Sequence, residues 1–363
     1  MKKHVVISGY YGFNNAGDEA ILAAIISTMR KLAAKQHQEL EFTVLSANPA
    51  ATRARHQVQA VERMNLRQII KALMKCDLFL SGGGGLLQDA TGRSLSVIYY
   101  LGLVFLAKLL GKPAVLYAHG IGPIEKGFNK FLVRFICNLA DYVSVRDEAS
   151  LEDLKKMGVR RPPLELTADP AFLLQSQVAR ITLPDKKKVI GIAVKAEADD
   201  SYLKEIARAA DCLAKEFDAA LFLVPMYYTE DLASTKKLAG LLQAEYFSLE
   251  QVLEPEALLG LFEQFALVIS VRLHALIFAA AAGVPMVGIG YDPKVAAFLG
   301  QLGLATAGSV ENVQAEVIVE QGRKRLNDQA LKARLKIKQK ELRQKAGAAL
   351  EKIFFTLFES GDK

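Results

Sequence analysis

The stretch LVISVRLHALIFAAAAGVP, residues 267–285, decides the fold expected for this chain. Its first four residues form a short apolar run of the kind that central parallel strands show. The small-residue segment after it is typical of a helix, which the glycine and proline near its end would stop. Arg272 and His274 therefore fall where the carboxyl end of a strand turns into a helix N-terminus.

An anion is favoured at such a junction, because unpaired N–H groups and the helix dipole both point toward it. In open α/β sheets this edge is also where ligands bind. Arg272 and His274 are thus candidates for binding an anionic substrate. The alternative is that both are structural, one as a surface arginine and the other as a core histidine.

Strand and helix patterns alternate in the same way through both halves of the chain, which predicts parallel sheets covered by helices. The expected fold class is α/β, with two Rossmann-like domains facing each other across a cleft. The predicted limits are 1–175 for the first domain and 189–310 for the second. A basic amphipathic helix is expected over 323–358.

Three further charged residues follow predicted strands or open helices. Asp18 comes after the glycine- and asparagine-rich loop GYYGFNNAG, residues 9–17, and is either a helix cap or a ligand-binding group. Arg146 follows the strand at residues 142–145, and Lys294 follows the strand near residue 289. Parallel strands place such residues at one edge of their sheet, so an anion site there is the prediction.

Four consecutive glycines, at positions 82–85, are costly to order and favour a binding role over a simple turn. Their N–H groups could bind an anion or a sugar hydroxyl. Gln88 follows this run closely. His119 ends another predicted strand, where a structural role is favoured from the sequence alone.

The composition limits the classes of protein that fit. With 363 residues and 51% hydrophobic residues, the chain can bury two cores. Its three cysteines lack disulfide or metal spacing, which indicates a reducing compartment. The apolar segment 95–110 is shorter than the ~20 residues of a membrane span and contains Lys108, so a buried helix is expected.

The net charge of +7 comes from one segment. Residues 323–345 hold ten lysines and arginines against two acids, and the rest of the chain is close to neutral. In residues 329–358, apolar side chains recur at steps of three, four or seven, which predicts one long amphipathic helix. Its basic face either is solvated while the helix packs on the protein, or also contacts an anionic membrane.

Several short motifs together resemble the polysaccharide pyruvyl transferase family, in the type that modifies bacterial secondary cell-wall polysaccharide. They are GYYGFNNAGDEAIL, SGGGGLLQD, GIGP, SVRD, DPAF, VRLHALIFAAAAGVPMVGI and YDPKV, in that order along the chain. The resemblance implies a fold like that of GT-B glycosyltransferases. It also implies transfer of pyruvate from phosphoenolpyruvate to a sugar, commonly N-acetylmannosamine of a lipid-linked precursor, as a cyclic ketal. The chain departs from the family at His119, where glutamine is expected.

The resemblance implies a role for each candidate residue. Phosphoenolpyruvate would be bound by Arg146, Arg272, His274 and Lys294, with Asp18 and His274 as the base and acid in either order. Acceptor contacts would come from the following residues: Asn15, Gly84, Gly85, Gln88 and His119. No metal and no cofactor beyond the co-substrate phosphoenolpyruvate is expected, since no DxD motif or ligand-spaced histidines occur.

Two other functions fit parts of the sequence. A GT-B glycosyltransferase that uses a nucleotide sugar would have the same fold and a similar basic site. A non-catalytic lipid-carrier-binding protein would account for the basic helix but not for Asp18. The expected location is cytoplasmic, with peripheral contact at the inner face of the plasma membrane, and no nucleic-acid partner is expected.

Overall fold

The computed structural model describes residues 2–89, 94–181, 183–184, 188–197 and 199–359. The chain divides into two compact units. Unit 1 comprises Met1–Phe13, Asp18–Leu173 and Leu342–Lys363, and unit 2 comprises Asn14–Gly17 and Leu174–Glu341. Each unit therefore includes a short piece that lies far along the sequence from the rest of it.

Unit 1 is built on an eight-stranded sheet whose strands are all parallel, in the order β3-β2-β1-β4-β6-β7-β8, with β5 paired to β6. Its strands are β1 Lys2–Ser8, β2 Glu39–Ser46, β3 Gln59–Glu62, β4 Leu78–Ser81, β5 Gly84–Leu87, β6 Ala114–Ile121, β7 Tyr142–Val145 and β8 Leu164–Leu166. Its helices are α1 Ala16–Lys35, α2 Pro49–His56, α3 Leu66–Lys75, α4 Ser94–Leu109, α5 Gly127–Cys137 and α6 Glu148–Lys156, followed by a 3₁₀ turn at Pro170–Leu173. The first two residues of α1 belong to unit 2.

Unit 2 contains a five-stranded parallel sheet in the order β11-β10-β9-β12-β13. Its strands are β9 Lys188–Ala193, β10 Ala219–Leu223, β11 Tyr246–Ser248, β12 Leu267–Ser270 and β13 Met286–Gly288. Its helices are α7 Ser201–Phe217, α8 Tyr228–Ala239, α9 Pro255–Phe262, α10 Leu273–Ala281, α11 Pro293–Gln301 and α12 Ala315–Asn327. The strand and helix predicted from residues 267–285 are thus β12 and α10.

The strand sequences explain why both sheets form. All four residues of β4 and of β12 are buried, as is typical of parallel strands covered on both faces. The core of unit 1 packs strand residues such as Phe79 against Leu101 and Val104 of α4. The core of unit 2 packs Ile190 and Ile269 against Ile206 and Leu213 of α7.

Helix α13, Gln329–Glu359, follows α12 after a break at Asp328. The side chain of Asp328 accepts a hydrogen bond from the N–H of Leu331 at 2.8 Å and so caps α13. The basic segment expected as one helix over 323–358 is therefore divided between α12 and α13. Leu331, Leu335 and Leu350 are buried, as the apolar spacing predicts, while the side chains of residues 357–359 lie outside the described part of the structure.

Helix α4 differs from the predicted buried helix. Its inner face, with Val97, Leu101 and Val104, is buried, but Leu95 and Leu109 on its outer face are 77% and 71% exposed. Among the described residues, no helix has the length and hydropathy that crossing a membrane requires.

Candidate functional site

The strand order of unit 2 reverses between β9 and β12, because the chain runs outward from β9 in one direction and from β12 in the other. Ligands of open α/β sheets bind at the carboxyl ends of the strands at such a switch point. Lys195 follows β9 there, and Arg272 and His274 follow β12. The two residues singled out from the sequence thus lie at the place in this unit where a ligand is expected.

Arg272 is held by a buried carboxylate, that of Asp231 near the start of α8. Its Nε donates to both carboxylate oxygens at 3.0 Å, and Nη2 also donates to Oδ1. Oε2 of Glu230 lies 3.7 Å from Nη2 of Arg272, and this side chain is more exposed than that of Asp231. Burial raises the pKa of the Asp231 carboxyl, although the Arg272 guanidinium acts in the opposite direction. Burial lowers the pKa of Arg272, but the Asp231 carboxylate outweighs this effect, and the pKa of Arg272 is raised. The arginine is therefore a fixed cation with one edge already occupied.

Lysines add to the positive charge of this sheet edge. The Nζ of Lys195 lies 4.4 Å from the ring centroid of Tyr291 and also pairs with Glu197. Lys294 is the second residue of α11, and its N–H donates to the capping carboxylate of Asp292 at 2.8 Å. Lys195 was missed in the sequence analysis, although a lysine directly after a buried strand is the same signal that identified Arg272.

Residues Asn14–Gly17 belong to unit 2 and pack on this edge. Asn15 forms an antiparallel bridge with Tyr227, and the N–H of Ala16 donates to the carbonyl of Met226 at 2.8 Å. The Asn15 side chain accepts from the N–H of Gly17 at 3.1 Å. A Cβ atom on Gly17 would lie 2.1 Å from Cγ of His274, so only glycine allows the histidine ring to lie where it does.

In unit 1, the strand order reverses between β1 and β4, and the glycines after these strands pack on Tyr11. A Cβ atom on Gly9 would lie 2.3 Å from the Tyr11 ring, and one on Gly82 would lie 2.1 Å from its hydroxyl. This hydroxyl is buried and makes no hydrogen bond to any described residue. Burial raises the pKa of Tyr11 well above its usual range, and the charge of Asp18 adds to the shift.

Asp18 is buried, on the first turn of α1. A Cβ atom on Gly84, whose φ is +112°, would lie 3.0 Å from Oδ1 of Asp18. The glycine therefore allows the carboxylate to approach the β5 backbone closely. Glu19 beside it has a structural role, because its Oε1 accepts from the N–H of Gly12 at 2.8 Å.

Arg63 orders the loop that precedes Asp18. Its guanidinium lies over four aromatic rings, at 4.7 to 5.8 Å from their centroids, and two of these rings, Tyr10 and Phe13, stack on each other. The hydroxyl of Tyr99 donates to the carbonyl of Arg63 at 2.7 Å. No local sequence pattern indicates this cluster, because its members come from three separate segments.

The glycine run is less open than its sequence indicates. Gly84 and Gly85 lie in β5, where Gly84 pairs with His119 of β6, so they are part of the sheet and not a free loop. Gln88 follows this strand, and its carbonyl accepts from the hydroxyl of Ser96 at 3.3 Å. Only Gly82 and Gly83 connect β4 to β5 outside a strand.

His119 is fully buried in β6, with Nε2 3.2 Å from the carbonyl of Ser81. Burial lowers the pKa of His119 to about 4, and the nearby charge of Arg146 acts in the same direction. The side chain presents no surface to an acceptor. Its predicted acceptor contact is therefore corrected to a role in the core, because the strand on which it lies is covered on both faces.

Arg146 is also buried, and its Nη1 donates to Oδ2 of Asp169 at 2.6 Å. Burial disfavours the charged guanidinium, but Asp169 and Asp147 outweigh this and raise the pKa of Arg146. A Cβ atom on Gly120 would lie 2.8 Å from the Nε of Arg146, so the glycine leaves room for the guanidinium. Arg146 thus resembles Arg272: each follows a buried strand and is held by a buried aspartate.

The structure brings the predicted site residues together in two groups, one in each unit. In unit 2, Asn15, Arg272, His274 and Lys294 belong to the carboxyl edge of one sheet. In unit 1, the carboxylate of Asp18 lies close to the backbone of Gly84. In the same unit, the N–H of Arg146 donates to the carbonyl of His119 at 3.1 Å. Among the described residues, no group of three or more histidines, cysteines or acids is arranged to hold a metal ion.

Known structures share this fold. The chain is similar to UDP-GlcNAc 2-epimerase from Neisseria meningitidis bound to UDP-GlcNAc, with TM-score 0.64 and 14% identity, over 99% of this chain and 100% of that chain. It is similar to UDP-GlcNAc 2-epimerase from Methanocaldococcus jannaschii, with TM-score 0.65, 13% identity and coverage of 99% and 100%. Anabaena Alr3699/HepE in complex with UDP and glucose gives TM-score 0.61, 12% identity and coverage of 99% and 100%.

At these identities the likeness is one of fold, and it confirms the predicted GT-B-like α/β class with a long C-terminal helix. No match is found among curated protein sequences. The family model described as polysaccharide pyruvyl transferase matches residues 15–293, a range that includes Asp18, Arg272 and His274. The chain therefore belongs to the polysaccharide pyruvyl transferase family.

Proposed function

We propose that this transferase moves pyruvate from phosphoenolpyruvate onto two hydroxyls of a sugar as a cyclic ketal. The proposed acceptor is N-acetylmannosamine of a lipid-linked cell-wall polysaccharide precursor. The observation that carries the proposal is the cationic edge of the unit 2 sheet, where Lys195, Arg272 and Lys294 follow three neighbouring strands. Phosphoenolpyruvate carries a phosphate and a carboxylate, and such anions suit a cationic site at helix N-termini.

Arg272 is the proposed main contact to the donor. Asp231 occupies its Nε and Nη2, while Nη1 makes no hydrogen bond to any described residue and can donate to an anion. A guanidinium fixed in this way loses little conformational entropy on binding. Lys294 and Arg146 remain proposed donor-binding residues, Arg146 being held by Asp169 as Arg272 is by Asp231.

The proposed reaction begins with protonation of C3 of the enol, which makes C2 an oxocarbenium-like electrophile. One sugar hydroxyl adds to C2 and loses its proton. The C2–O bond to phosphate then breaks, and the second hydroxyl adds to C2 with loss of its own proton, which closes the ketal. The methyl group keeps the first proton gained, and inorganic phosphate leaves with the C–O bonding pair.

Two residues are proposed to move these protons. His274 is the proposed acid that faces the phosphate or C3, and Asp18 the proposed base for a sugar hydroxyl, although the two roles are exchangeable. Within unit 2, Gly17 packs on His274, and this contact supports a positioned histidine. Proposed acceptor contacts stay with Asn15, Gly84, Gly85 and Gln88.

The test is to incubate the purified protein with phosphoenolpyruvate and synthetic N-acetylmannosaminyl acceptors. Phosphate release and a mass gain equal to the ketal are expected together. A matched acceptor with one hydroxyl of the pair methylated should give no ketal. Absence of ketal with every acceptor that has both hydroxyls would contradict the proposal.

The rival function, transfer of a sugar from a nucleotide sugar, is separated by a second titration. Some of the similar structures were solved with UDP or UDP-sugars, but their likeness to this chain is one of fold. A pyruvyl transferase should bind phosphoenolpyruvate in preference to UDP-sugars. Tight UDP-sugar binding together with sugar transfer to the same acceptors would favour the rival.

A further inference from the structure

Helix α4 presents an apolar stripe on its outer side. Leu95, Ile98, Phe105 and Leu109 are all exposed and recur at helical spacing, with exposed Gly102 in the middle of the stripe. The opposite side of the helix packs into the core of unit 1. An outer helix face is normally polar, so this stripe requires an explanation beyond folding.

Helix α5 extends the stripe with Phe128, Phe131 and Phe135, which are 62%, 59% and 48% exposed. The rings of Phe131 and Phe135 stack at 6.0 Å, and the Phe135 ring lies 6.4 Å from that of Phe105. The two helices therefore form one continuous surface. We call it the α4–α5 face, defined by these residues: Leu95, Ile98, Phe105, Leu109, Phe128, Phe131 and Phe135.

Exposed cations border this face on the α5 side. Lys130 and Arg134 belong to α5 itself, and Arg160 and Arg161 follow α6. The side chain of Asn138 accepts from the N–H groups of both Arg160 and Arg161 at 2.9 Å, which holds these arginines beside α5. None of the four cations forms an ion pair with a described residue.

Two shallow cavities combine these apolar and cationic side chains. One of about 470 Å³ lies along α5, and its lining includes Phe131, Phe135, Arg134, Arg160 and Arg161. The other, of about 590 Å³, is lined in part by Phe131, Arg134, Lys130 and Lys156, with Asp153 as its acidic residue. Both therefore offer apolar walls next to positive charge.

We propose that the α4–α5 face docks unit 1 onto an anionic phospholipid bilayer. Aromatic and aliphatic side chains on one helix face enter the boundary between headgroups and acyl chains, and neighbouring cations attract anionic lipid. Charge complementarity selects this occupant, since the cations at the border match phosphate headgroups and the face itself is apolar. The proposal does not depend on the reaction proposed above or on helix α13.

The chain contains no tryptophan, which allows a direct test of insertion. Phe131→Trp supplies one reporter on the face, and Val178→Trp, at an exposed position of unit 2, is the matched control. With vesicles that contain phosphatidylglycerol, the emission of Phe131→Trp should shift to the blue and be quenched by brominated acyl chains. The control should show neither effect, and vesicles of phosphatidylcholine alone should bind both proteins more weakly.

Binding itself is tested with two triple variants. Phe128→Ser, Phe131→Ser and Phe135→Ser together should lower the vesicle partition coefficient ~10-fold or more, because large apolar side chains no longer insert. The control carries three exposed apolar residues of unit 2 changed in the same way: Val178→Ser, Tyr246→Ser and Val252→Ser. Thermal unfolding by circular dichroism shows whether both triple variants fold. If the phenylalanine variant does not fold, the Phe131→Trp emission alone decides whether this face inserts.

Three results would overturn the proposal. The first is a Phe131→Trp emission that vesicles leave unchanged while the protein still binds them, which would assign binding to another surface. The second is an equal loss of binding in both triple variants. The third is self-association that the phenylalanine variant abolishes, with no vesicle binding by the native chain, which would make the face an interface between copies of this chain.

Discussion

Arg146 and Arg272 each leave a buried strand and meet a buried aspartate of their own unit. The carboxylates of Asp169 and Asp231 stabilise the two buried guanidinium groups, because an unpaired buried charge is strongly destabilising. The pairs also fix the direction in which each arginine can offer its remaining donors. At the scale of the residue, the proposed donor binding and the stability of each unit therefore depend on the same side chains.

Arg146→Ala should destabilise unit 1 by about 3–5 kcal/mol, because it leaves the carboxylate of Asp169 buried without its partner. Replacing both partners by apolar residues, as Arg146→Met with Asp169→Leu, should cost less than the single change. Urea unfolding followed by circular dichroism measures this. Arg134→Ala, at an exposed arginine, is the control and should stay within ~0.5 kcal/mol of the native protein; equal midpoints for the two alanine variants would contradict the expectation.

Asp18→Asn should retain phosphoenolpyruvate binding and lose ~10²–10⁴-fold in turnover, since the amide keeps the shape but cannot accept the hydroxyl proton. Calorimetry of donor binding and the phosphate-release assay separate these two effects. Turnover close to the native rate would leave Asp18 as a helix cap only.

His119→Gln should make stability less dependent on pH between about 6.5 and 4. In this window the unfolded chain binds a proton on His119 that the folded chain, with a His119 pKa of about 4, does not bind. The native protein therefore loses stability as pH falls from the unfolded to the folded pKa, by ~3 kcal/mol at pH 4 from this residue. Denaturant unfolding of both proteins at several pH values checks this, and parallel pH profiles would show that His119 titrates normally.

Sequence spacing could identify Arg272 and His274, because a cation just after a buried strand is a local pattern. It could not identify their partners. Asp231 is 41 positions from Arg272, and Asp169 is 23 from Arg146, so these pairs form only through tertiary folding. The burial of His119 was likewise decided by the strands that flank β6, which no local pattern specifies.

At the scale of the element, Asn14–Gly17 shows how a short segment can position a side chain. Gly17→Ala should displace the His274 ring, because the new Cβ would lie 2.1 Å from Cγ in the present arrangement. If His274 is the proposed acid or base, turnover should fall by up to ~10²-fold while the protein remains folded, because a misplaced catalytic group loses that much in rate.

The matched control for Gly17→Ala is Gly300→Ala in α11, where an added Cβ meets nothing within 4 Å. Phosphate release and thermal unfolding are measured for both variants. Similar turnover in the two would mean that His274 tolerates the displacement or has no part in the reaction.

Helix α13 carries its predicted basic face, with Arg334, Lys336 and Lys340 exposed. If this face also contacts anionic lipid, changing Lys332, Arg334, Lys336 and Lys338 to glutamine should weaken vesicle binding, at ~1 kcal/mol per cation. The loss should be largest at low salt, because salt screens exposed charges. This salt dependence differs from that of the apolar α4–α5 face, whose contribution should persist at higher salt.

A control variant should remove the same charge elsewhere in unit 2. It carries glutamine at four exposed lysines: Lys204, Lys215, Lys236 and Lys324. Vesicle sedimentation at several salt concentrations compares the three proteins. Equal vesicle binding by the two variants would show that α13 only packs on the protein and does not contact lipid.

At the scale of the whole molecule, the α/β alternation and the apolar strands were sufficient to predict two parallel sheets. The period of the apolar residues also predicted α13, whose buried positions Leu331, Leu335 and Leu350 follow it. Three features were beyond reach for a physical reason. The glycines of β5 have no side chains whose alternation could predict a strand. The outer face of α4 is as apolar as a buried face, so its exposure is not visible in the sequence. Asn14–Gly17 joins unit 2 through contacts with residues more than two hundred positions away.

The composition of unit 1 has a consequence for synthesis of the protein. This unit begins with β1 at the amino end, yet it also includes the part of α13 from Leu342 onward. There the Tyr117 hydroxyl donates to the carbonyl of Ala346 at 2.9 Å, and the Thr167 hydroxyl donates to that of Lys345 at 3.0 Å. Domains usually fold in order as the ribosome releases them. Here an early segment of the chain packs with residues from Leu342 onward, so the first unit of the nascent chain stays unfinished until those residues have been made. Ribosome stalling or premature termination near residue 341 would thus leave the amino-terminal half, and not only the missing tail, exposed to proteases and chaperones.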